Sequence, residues 1–560
     1  MLQTYYDLGS YNRPVATRSA DAQLWFDRGL LWAYSFNHEE AENCFVKASE
    51  FDSTCVMAYW GVAYACGPNY NKAWIRFDQA DMQRTFQKAS VALQRARELA
   101  FHATPVEAAL AAALVARFPQ DGEPEDLSSL DHAYACAMRT VYESFPNDLD
   151  VAVLFAEALM CISPRALWNL ETGEPSGSNT TEARAVLEKA ANSPGGHSHP
   201  AVCHLYIHLM EMSSFPEIAQ PAADQLRKLV PDGSHMLHMP THIDVACGDY
   251  RRAVDSNQDA MTADDKYFAC EKGSILYNMY RAHNIYAKIY SALMSGQSKK
   301  ALYAAKRLPD VLTTELLSVT SPPMADWAES YLGVLAHVLI RFGRWGDILS
   351  LEIPDNKELY CSTTAMFLYA RGIAFAVLGR LDEAEAEQAK FEESRATVPK
   401  SRLNSMPAVE VDVLQVASAM LQGEIAYRKS DFPVAFDSLR AATAFEDALP
   451  YADTPPWMQP ARHALGALLL ERDQVEQAEI VYREDLGLGD NLPRRKARLN
   501  NVWGLHGLYE CLIRGGKFKE ARLIQLQRDI ALATADVPIV ASCFCRLSAV
   551  EAEMNCPKAT

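Results

Sequence analysis

The chain has 560 residues, of which 49% are hydrophobic and 22% are charged. This composition is typical of a folded protein with a sizeable core and excludes an intrinsically disordered chain. The formal net charge is −18, and because a strongly acidic surface repels phosphate backbones, we expect no nucleic-acid partner.

The start of the chain and the cysteines bear on the cellular compartment. Residues 1–12 are polar and aromatic and lack the basic and apolar regions of a secretory signal. The most apolar stretch, residues 108–116, is too short to cross a bilayer. The 13 cysteines are scattered through apolar helical segments, as reduced core residues are. We therefore expect a cytoplasmic protein without a membrane partner.

A repeat begins near the start of the chain. Large and small residues stand there at fixed offsets: Trp25, Gly29, Trp32, Ala41, Phe45 and Ala48. These offsets match the tetratricopeptide repeat (TPR), in which small residues let helix A approach helix B and large residues fill the space between them. The TPR period of about 34 residues leads from Trp25 to Tyr59, with Ala63 and Cys66 at the expected offsets.

The same pattern recurs towards the other end of the chain, at Gly372 and Ala384, Gly423 and Ala435, Gly466 and Ala478, and Trp503 and Gly507. No useful length alternates with the two-residue period of a strand. A single hairpin cannot bury its apolar face alone, so neighbouring hairpins must stack. The sequence therefore predicts an all-α, TPR-like α-solenoid that forms a right-handed superhelix. We expect residues 1–310 to carry the histidine-rich segment described next and residues 311–560 to continue the same solenoid.

Half of the 14 histidines lie between residues 197 and 242. Two sets within this segment have helical spacing, so each set shares one helix face: His204, His208 and Glu211 at i, i+4 and i+7, and His235, His238 and His242 at i, i+3 and i+7. Two adjacent helices can then direct their imidazoles at a common point. Neutral imidazoles with a carboxylate suit transition metals such as copper, iron or zinc.

The alternative is that these histidines belong to the core. A single histidine at a helix interface is usually a hydrogen-bonded core residue, and for His197 and His199 this interpretation is as good as metal ligation. Several buried imidazoles without partners are costly, however, and a shared metal ion removes that cost. We therefore predict a metal site, although the HExxH motif, GxSxG, the P-loop and GxGxxG are all absent.

The sequence resembles a family of TPR proteins found in bacteria and fungi, over nearly the whole chain and most strongly over the first 300 residues. The resemblance rests on several short runs: residues 25–30, 36–38, 58–61, 67–71 and 173–175, His199-Pro200, the HLYIH run 204–208 with Glu211, HMLHMPTHI at 235–243, and His283-Asn284. It implies the superhelix and a histidine cluster on its inner surface. Fungal relatives resemble accessory enzymes of secondary metabolism, which favours small-molecule chemistry.

Three functions fit these observations. The first is a metal-dependent enzyme that acts on a small organic molecule, with one or two ions in the concave groove. Oxidation is the expected reaction, because many imidazoles favour copper or iron, and zinc-dependent hydrolysis or lyase chemistry is the alternative. The second is a protein-interaction scaffold with a structural metal. The third is a metal-free binder or acid–base catalyst. A homodimer is compatible with each of them.

The enzyme hypothesis assigns a role to each candidate residue. The predicted metal ligands are His204, His208, His235, His238 and His242. The predicted catalytic residues are Glu211, Tyr206 and His283, of which Glu211 and His283 also serve as ligands or as partners that orient the ligands. Aromatic and amide side chains are expected to line the substrate pocket: Trp60, Asn69, Asn71, Trp168 and Asn284.

Overall fold

The computed structural model of the protein describes residues 5–119, 126–271 and 275–548, and within them the fold is helical. The described residues contain three isolated β-bridges and no longer strand. Short 3₁₀ turns connect some of the helices, at Trp74–Arg76, Ala100–His102, Val115–Arg117, Gly196–Ser198, Pro216–Ala219, Glu329–Gly333 and Arg494–Lys496.

The chain forms two compact units. Unit 1 comprises residues 1–243 and 258–277. The helices that lie wholly within it are α1 (Ala20–Tyr34), α2 (His38–Phe51), α3 (Val56–Cys66), α4 (Gln79–Glu98), α5 (Pro105–Leu114), α6 (Ser128–Ser144), α7 (Leu149–Cys161), α8 (Ser178–Ala191), α9 (Pro200–Met210), α10 (Gln220–Leu226) and α11 (Ser234–His238).

Unit 2 comprises residues 244–257 and 278–560. Helices α12 (Pro240–Cys247) and α13 (Tyr250–Cys270) contribute residues to both units, and α14 (Tyr277–Met294) belongs to unit 2 apart from its first residue. The remaining helices are α15 (Ser298–Val311), α16 (Thr314–Leu317), α17 (Met324–Ala328), α18 (Val334–Arg341), α19 (Trp345–Leu349), α20 (Cys361–Val377), α21 (Leu381–Thr397), α22 (Glu410–Arg428), α23 (Phe432–Ala448), α24 (Ala461–Glu471), α25 (Val475–Asp485), α26 (Val502–Arg514) and α27 (Phe518–Leu532).

Within each unit the helices pack as stacked hairpins. In unit 1, α1 contacts both α2 and α3, and α3 contacts both α4 and α5. In unit 2, α20 contacts α21 and α22, and α24 contacts α25 and α26. A helix that touches its hairpin partner and also the first helix of the next hairpin is the packing pattern of TPR repeats. The predicted all-α, TPR-like α-solenoid class is therefore confirmed, while the expected division at residue 310 stays a prediction.

Phe45 explains why the first repeat needs its glycines. This side chain of α2 is fully buried and lies between Gly29 of α1 and Gly61 of α3. A Cβ atom at Gly29 would lie 2.7 Å from the Phe45 ring, and one at Gly61 would lie 2.4 Å from it. Both distances are far below van der Waals contact, so only glycine lets α1 and α3 close on this ring.

Unit 2 uses the same device in its last two hairpins. The buried Tyr482 of α25 lies between Gly466 of α24 and Gly507 of α26. Added Cβ atoms at these glycines would lie 2.4 Å and 2.2 Å from the tyrosine ring. The spacing of small and large residues in the sequence thus reports a specific contact between consecutive hairpins in each unit.

Two expectations about cysteines and membranes can be compared with the structure. The expectation that the cysteines are reduced is wrong for Cys543 and Cys545, which form a disulfide bond, whereas the other described cysteines are free thiols. Proximity explains the pairing, because the two Cα atoms are 5.2 Å apart. Among the described helices, none is both long and apolar enough to cross a membrane.

We predict that Phe45→Ala lowers the free energy of unfolding by about 3–5 kcal/mol, because it leaves a cavity between two helices that cannot collapse fully. The matched control is Phe51→Ala on the same helix, since Phe51 is 51% exposed. Urea unfolding followed by circular dichroism measures both variants. Equal midpoints for the two variants would show that the glycine–phenylalanine contact is unimportant.

Candidate metal centre

Helix α9 carries the first histidine set. Its start is fixed by His199, whose Nδ1 accepts a hydrogen bond from the backbone N–H of Val202 at 3.4 Å, and by Pro200 at the first helical position. His204 and His208 then follow one turn apart on one face, as the spacing predicts. Glu211 comes directly after the end of the helix.

The second set lies on two short helices instead of one. His235 and His238 belong to α11, and His242 belongs to α12. The break falls at Met239 and Pro240, because proline has no N–H to donate to the carbonyl of the preceding turn. The backbone of Met239 stays in the right-handed helical region, so the three histidines still converge despite the break.

His204 is held by a backbone carbonyl on α1. Its Nδ1 lies 2.8 Å from the carbonyl oxygen of Tyr34 and must donate to it. In a neutral imidazole this leaves a lone pair on Nε2, which lies 3.1 Å from Nε2 of His235. Tyr34 is itself anchored, since its hydroxyl donates to Asp150 at 2.6 Å.

Glu211 holds two further imidazoles. One of its carboxylate oxygens accepts a hydrogen bond from Nδ1 of His208 at 3.0 Å, and the other accepts one from Nδ1 of His242. Both rings therefore present an Nε2 lone pair on the side away from Glu211. Nε2 of His242 lies 3.0 Å from Nε2 of His238. Nε2 of His208 is buried and has no hydrogen-bond partner among the described residues.

The resulting donor set fits a transition metal. In each of two groups, one ligand atom per residue lies within 4.8 Å of the others: His204 with His208 and His235, and His208 with Glu211 and His242. Two nitrogen ligands of one ion, each at about 2.0–2.1 Å, lie roughly 3 Å apart, which matches the two Nε2 pairs. An oxygen that holds Nδ1 of a metal-binding imidazole is the usual support in such centres.

Aromatic rings enclose the cluster and exclude water. The ring of Phe36 lies 4.6 Å from that of His204, 5.2 Å from that of His235 and 5.8 Å from that of His208. The ring of Tyr70 lies 4.9 Å from that of His208 on another side. Phe36 and Tyr70 are both buried, so the imidazoles lie in a low-dielectric pocket in which each unpaired lone pair is costly.

Burial controls the charge of these groups. It disfavours the imidazolium form and is the main reason why the pKa values of His204, His208 and His235 are lowered. For Glu211, burial acts in the opposite direction, but His242 and the hydrogen bond from His208 outweigh it and lower the pKa of the carboxyl group. The pocket therefore contains neutral imidazoles around a carboxylate at neutral pH, which is the state that binds a cation.

The predicted pocket residues are distributed around this cluster in unit 1. Asn69 is buried and binds Nε2 of His38 at 3.3 Å, and Asn71 is half-buried. The indole of Trp168 donates to the carbonyl of Leu209 at 2.6 Å, which fixes it against the end of α9. The indole of Trp60 is buried and stacks on Tyr64 at 5.0 Å, as a core residue does. A role for these side chains in substrate binding stays a prediction.

Three predicted catalytic or pocket residues lie elsewhere. The hydroxyl of Tyr206 donates to Glu188 on α8 at 3.2 Å, and burial together with Glu188 raises the pKa of this phenol to about 12. This geometry does not support Tyr206 as an acid–base catalyst at the cluster. His283 and Asn284 lie on α14 in unit 2, where Nε2 of His283 is 3.3 Å from a carboxylate oxygen of Asp453. Their predicted roles remain predictions.

Sequence reasoning missed the residues that hold and enclose the imidazoles. Tyr34 contributes a backbone carbonyl, for which a sequence has no signal. Phe36 and Tyr70 stand in the runs 36–38 and 67–71 that carry the family resemblance, and this was the available signal. The two uncertain histidines are outside the cluster: His197 is exposed, and Nε2 of His199 lies 3.3 Å from Asp150.

Comparisons with known proteins give similarity of fold only. No family model matches the chain, and no curated protein matches its sequence. The human IFIT1 dimer with m7Gppp-AAAA is 13% identical, with 90% of this chain and 95% of that chain covered and a TM-score of 0.33. Yeast Tom70 is 11% identical, with 91% and 96% covered and a TM-score of 0.30. Similarity this low carries no argument about ligands, partners or activity.

We predict that Glu211→Gln weakens metal binding about 10- to 100-fold, which is the usual effect of removing a group that orients a ligand. The amide retains one acceptor oxygen, so only one of the two imidazoles can keep its Nδ1 hydrogen bond. Competition with a chromophoric chelator measures the affinity. The control is Glu188→Gln on α8. An unchanged affinity in Glu211→Gln would contradict the assigned role of this carboxylate.

Proposed function

We propose that the protein binds a divalent transition metal at the histidine cluster and is a metal-dependent enzyme that acts on a small organic molecule. The observation that carries the proposal is the state of His208. Its Nδ1 is held by Glu211, and its Nε2 is buried without a hydrogen-bond partner among the described residues. A buried lone pair without a partner is costly, and a metal ion satisfies it.

The other imidazoles support the same interpretation less strongly. The Nε2 atoms of His204 and His235, and those of His238 and His242, are close enough to share a proton in a hydrogen bond. These pairs therefore do not require a metal. They do lie at the separation of two ligands of one ion, and the hydrogen bond to Tyr34 orients His204 as a metal ligand is oriented.

The number of ligands favours catalysis over a purely structural role. A closed structural zinc takes four protein ligands, whereas five imidazoles are gathered here. One ion with spare donors, or two ions, leaves a coordination position for substrate. Imidazole-rich sites suit copper and iron, so oxidation of the substrate is the first reaction class to test, and zinc-dependent hydrolysis or lyase chemistry is the second. A bound ion supplies Lewis acidity or redox chemistry.

One observation favours a second candidate, a protein-interaction scaffold with a structural metal. All five imidazoles and Glu211 are at most 3% exposed, which is typical of a metal that stabilises a fold. Stacked helical hairpins are also a frequent scaffold for protein partners. The two candidates differ in what the metal does, and the same variants test both.

We predict that His208→Ala and His242→Ala lose the bound metal and the activity but keep the helical fold, because the hairpins stack through their own apolar contacts. The control is His197→Ala, since His197 is exposed and lies outside the cluster. Elemental analysis of protein purified without chelator or nickel affinity gives the metal content. Circular dichroism gives the fold and the melting temperature.

The scaffold candidate predicts a different result for the same variants. Loss of a structural metal would lower the melting temperature strongly, because its binding free energy is folding free energy. A large loss in both cluster variants, with no turnover of any small molecule by the metal-loaded protein, would exclude the enzyme. Absence of metal from the wild-type protein would exclude both candidates.

A further inference from the structure

Two arginines lie beside the histidine cluster in unit 1. Arg165 lies in the connection between α7 and α8, and Arg76 ends a 3₁₀ turn between α3 and α4. Arg165 lies close enough to Arg76 to lower the pKa of its guanidinium group, after burial, which is the larger cause. Like charges at such short range repel each other, so their juxtaposition in a protein of net charge −18 calls for an explanation.

Specific contacts hold Arg165 near the cluster. Its guanidinium donates to the side-chain oxygen of Asn71 at 3.0 Å, and its backbone N–H donates to the hydroxyl of Tyr70 at 3.3 Å. The ring of Tyr70 packs against His208 at 4.9 Å. Arg165 also has a φ of 58°, a left-handed conformation that is unfavourable for arginine. The fold thus maintains Arg165 beside His208.

Arg76 has a different environment. Within the described part of the chain, its guanidinium has no carboxylate within salt-bridge distance and no hydrogen-bond acceptor. The side chain is half-buried, and the adjacent Ile75 is 83% exposed. This region therefore reaches solvent, whereas Tyr70 and His208 behind it are buried. Two guanidinium groups at such a position can bind one anion by paired, charge-assisted hydrogen bonds.

We propose that Arg76 and Arg165 form an anion-binding site that takes the carboxylate or phosphate group of the small-molecule substrate. The inference rests on the proposed function, because it assigns the substrate class of the same site. An anion between the two guanidinium groups removes their mutual repulsion. The rest of such a substrate then extends past Tyr70 towards His208, whose Nε2 is the orphan lone pair of the cluster.

Isothermal titration calorimetry on the full chain tests the site with two probes, benzoate and inorganic phosphate, at matched ionic strength. We expect at least one probe to bind, and the probe that binds identifies the anionic group. Arg76→Gln and Arg165→Gln should each weaken this binding about tenfold or more, as expected for loss of a charge-assisted pair. The control is Arg184→Gln, since Arg184 is half-exposed and paired with Glu188 at 2.8 Å.

Arg165→Lys keeps the charge but loses the planar fork, so we expect intermediate binding. Circular dichroism shows whether each variant folds, and if Arg165→Gln does not, Arg76→Gln and Arg165→Lys decide the matter. Binding of neither probe, or equal binding by wild type and the arginine variants, would overturn the proposal. Metal content measured on the same samples separates this outcome from failure of the proposed function, which would appear as absence of metal.

Discussion

The candidate site depends on hydrogen bonds that oxygen atoms accept from imidazole N–H groups in a water-excluded pocket. Glu211 holds Nδ1 of both His208 and His242, and the carbonyl of Tyr34 holds Nδ1 of His204. Each bond fixes one tautomer and directs an Nε2 lone pair inward. Without these oxygens the same histidines would be a set of buried polar rings with no defined orientation.

The repeat architecture provides the rigidity that this arrangement needs. Buried side chains between close helices, such as Phe45 between Gly29 and Gly61, fix the spacing of consecutive hairpins. Helix α9 also contacts α1, which brings the carbonyl of Tyr34 to His204 across 170 residues of sequence. A solenoid unit in which distant helices meet can therefore assemble a polar site from groups that no single hairpin contains.

The sequence was informative wherever local periodicity decides the structure. Helical spacing predicted the shared face of His204 and His208, and small residues at TPR offsets predicted the hairpins. It was uninformative wherever the tertiary path decides. The helix break at Pro240, the carbonyl of Tyr34 and the position of His283 in unit 2 depend on contacts between residues far apart in sequence. Periodicity also could not separate Tyr206, which binds Glu188, from its neighbours on α9.

X-ray absorption spectroscopy at the edge of the bound metal tests the central claim most directly, because it reports the ligand atoms themselves. The account predicts a first shell dominated by nitrogen at about 2.0–2.1 Å, with the outer-shell scattering of imidazole rings, and loss of imidazole scattering in His208→Ala. A first shell of oxygen or sulfur alone, or a protein that holds no metal when purified without chelator, would contradict it.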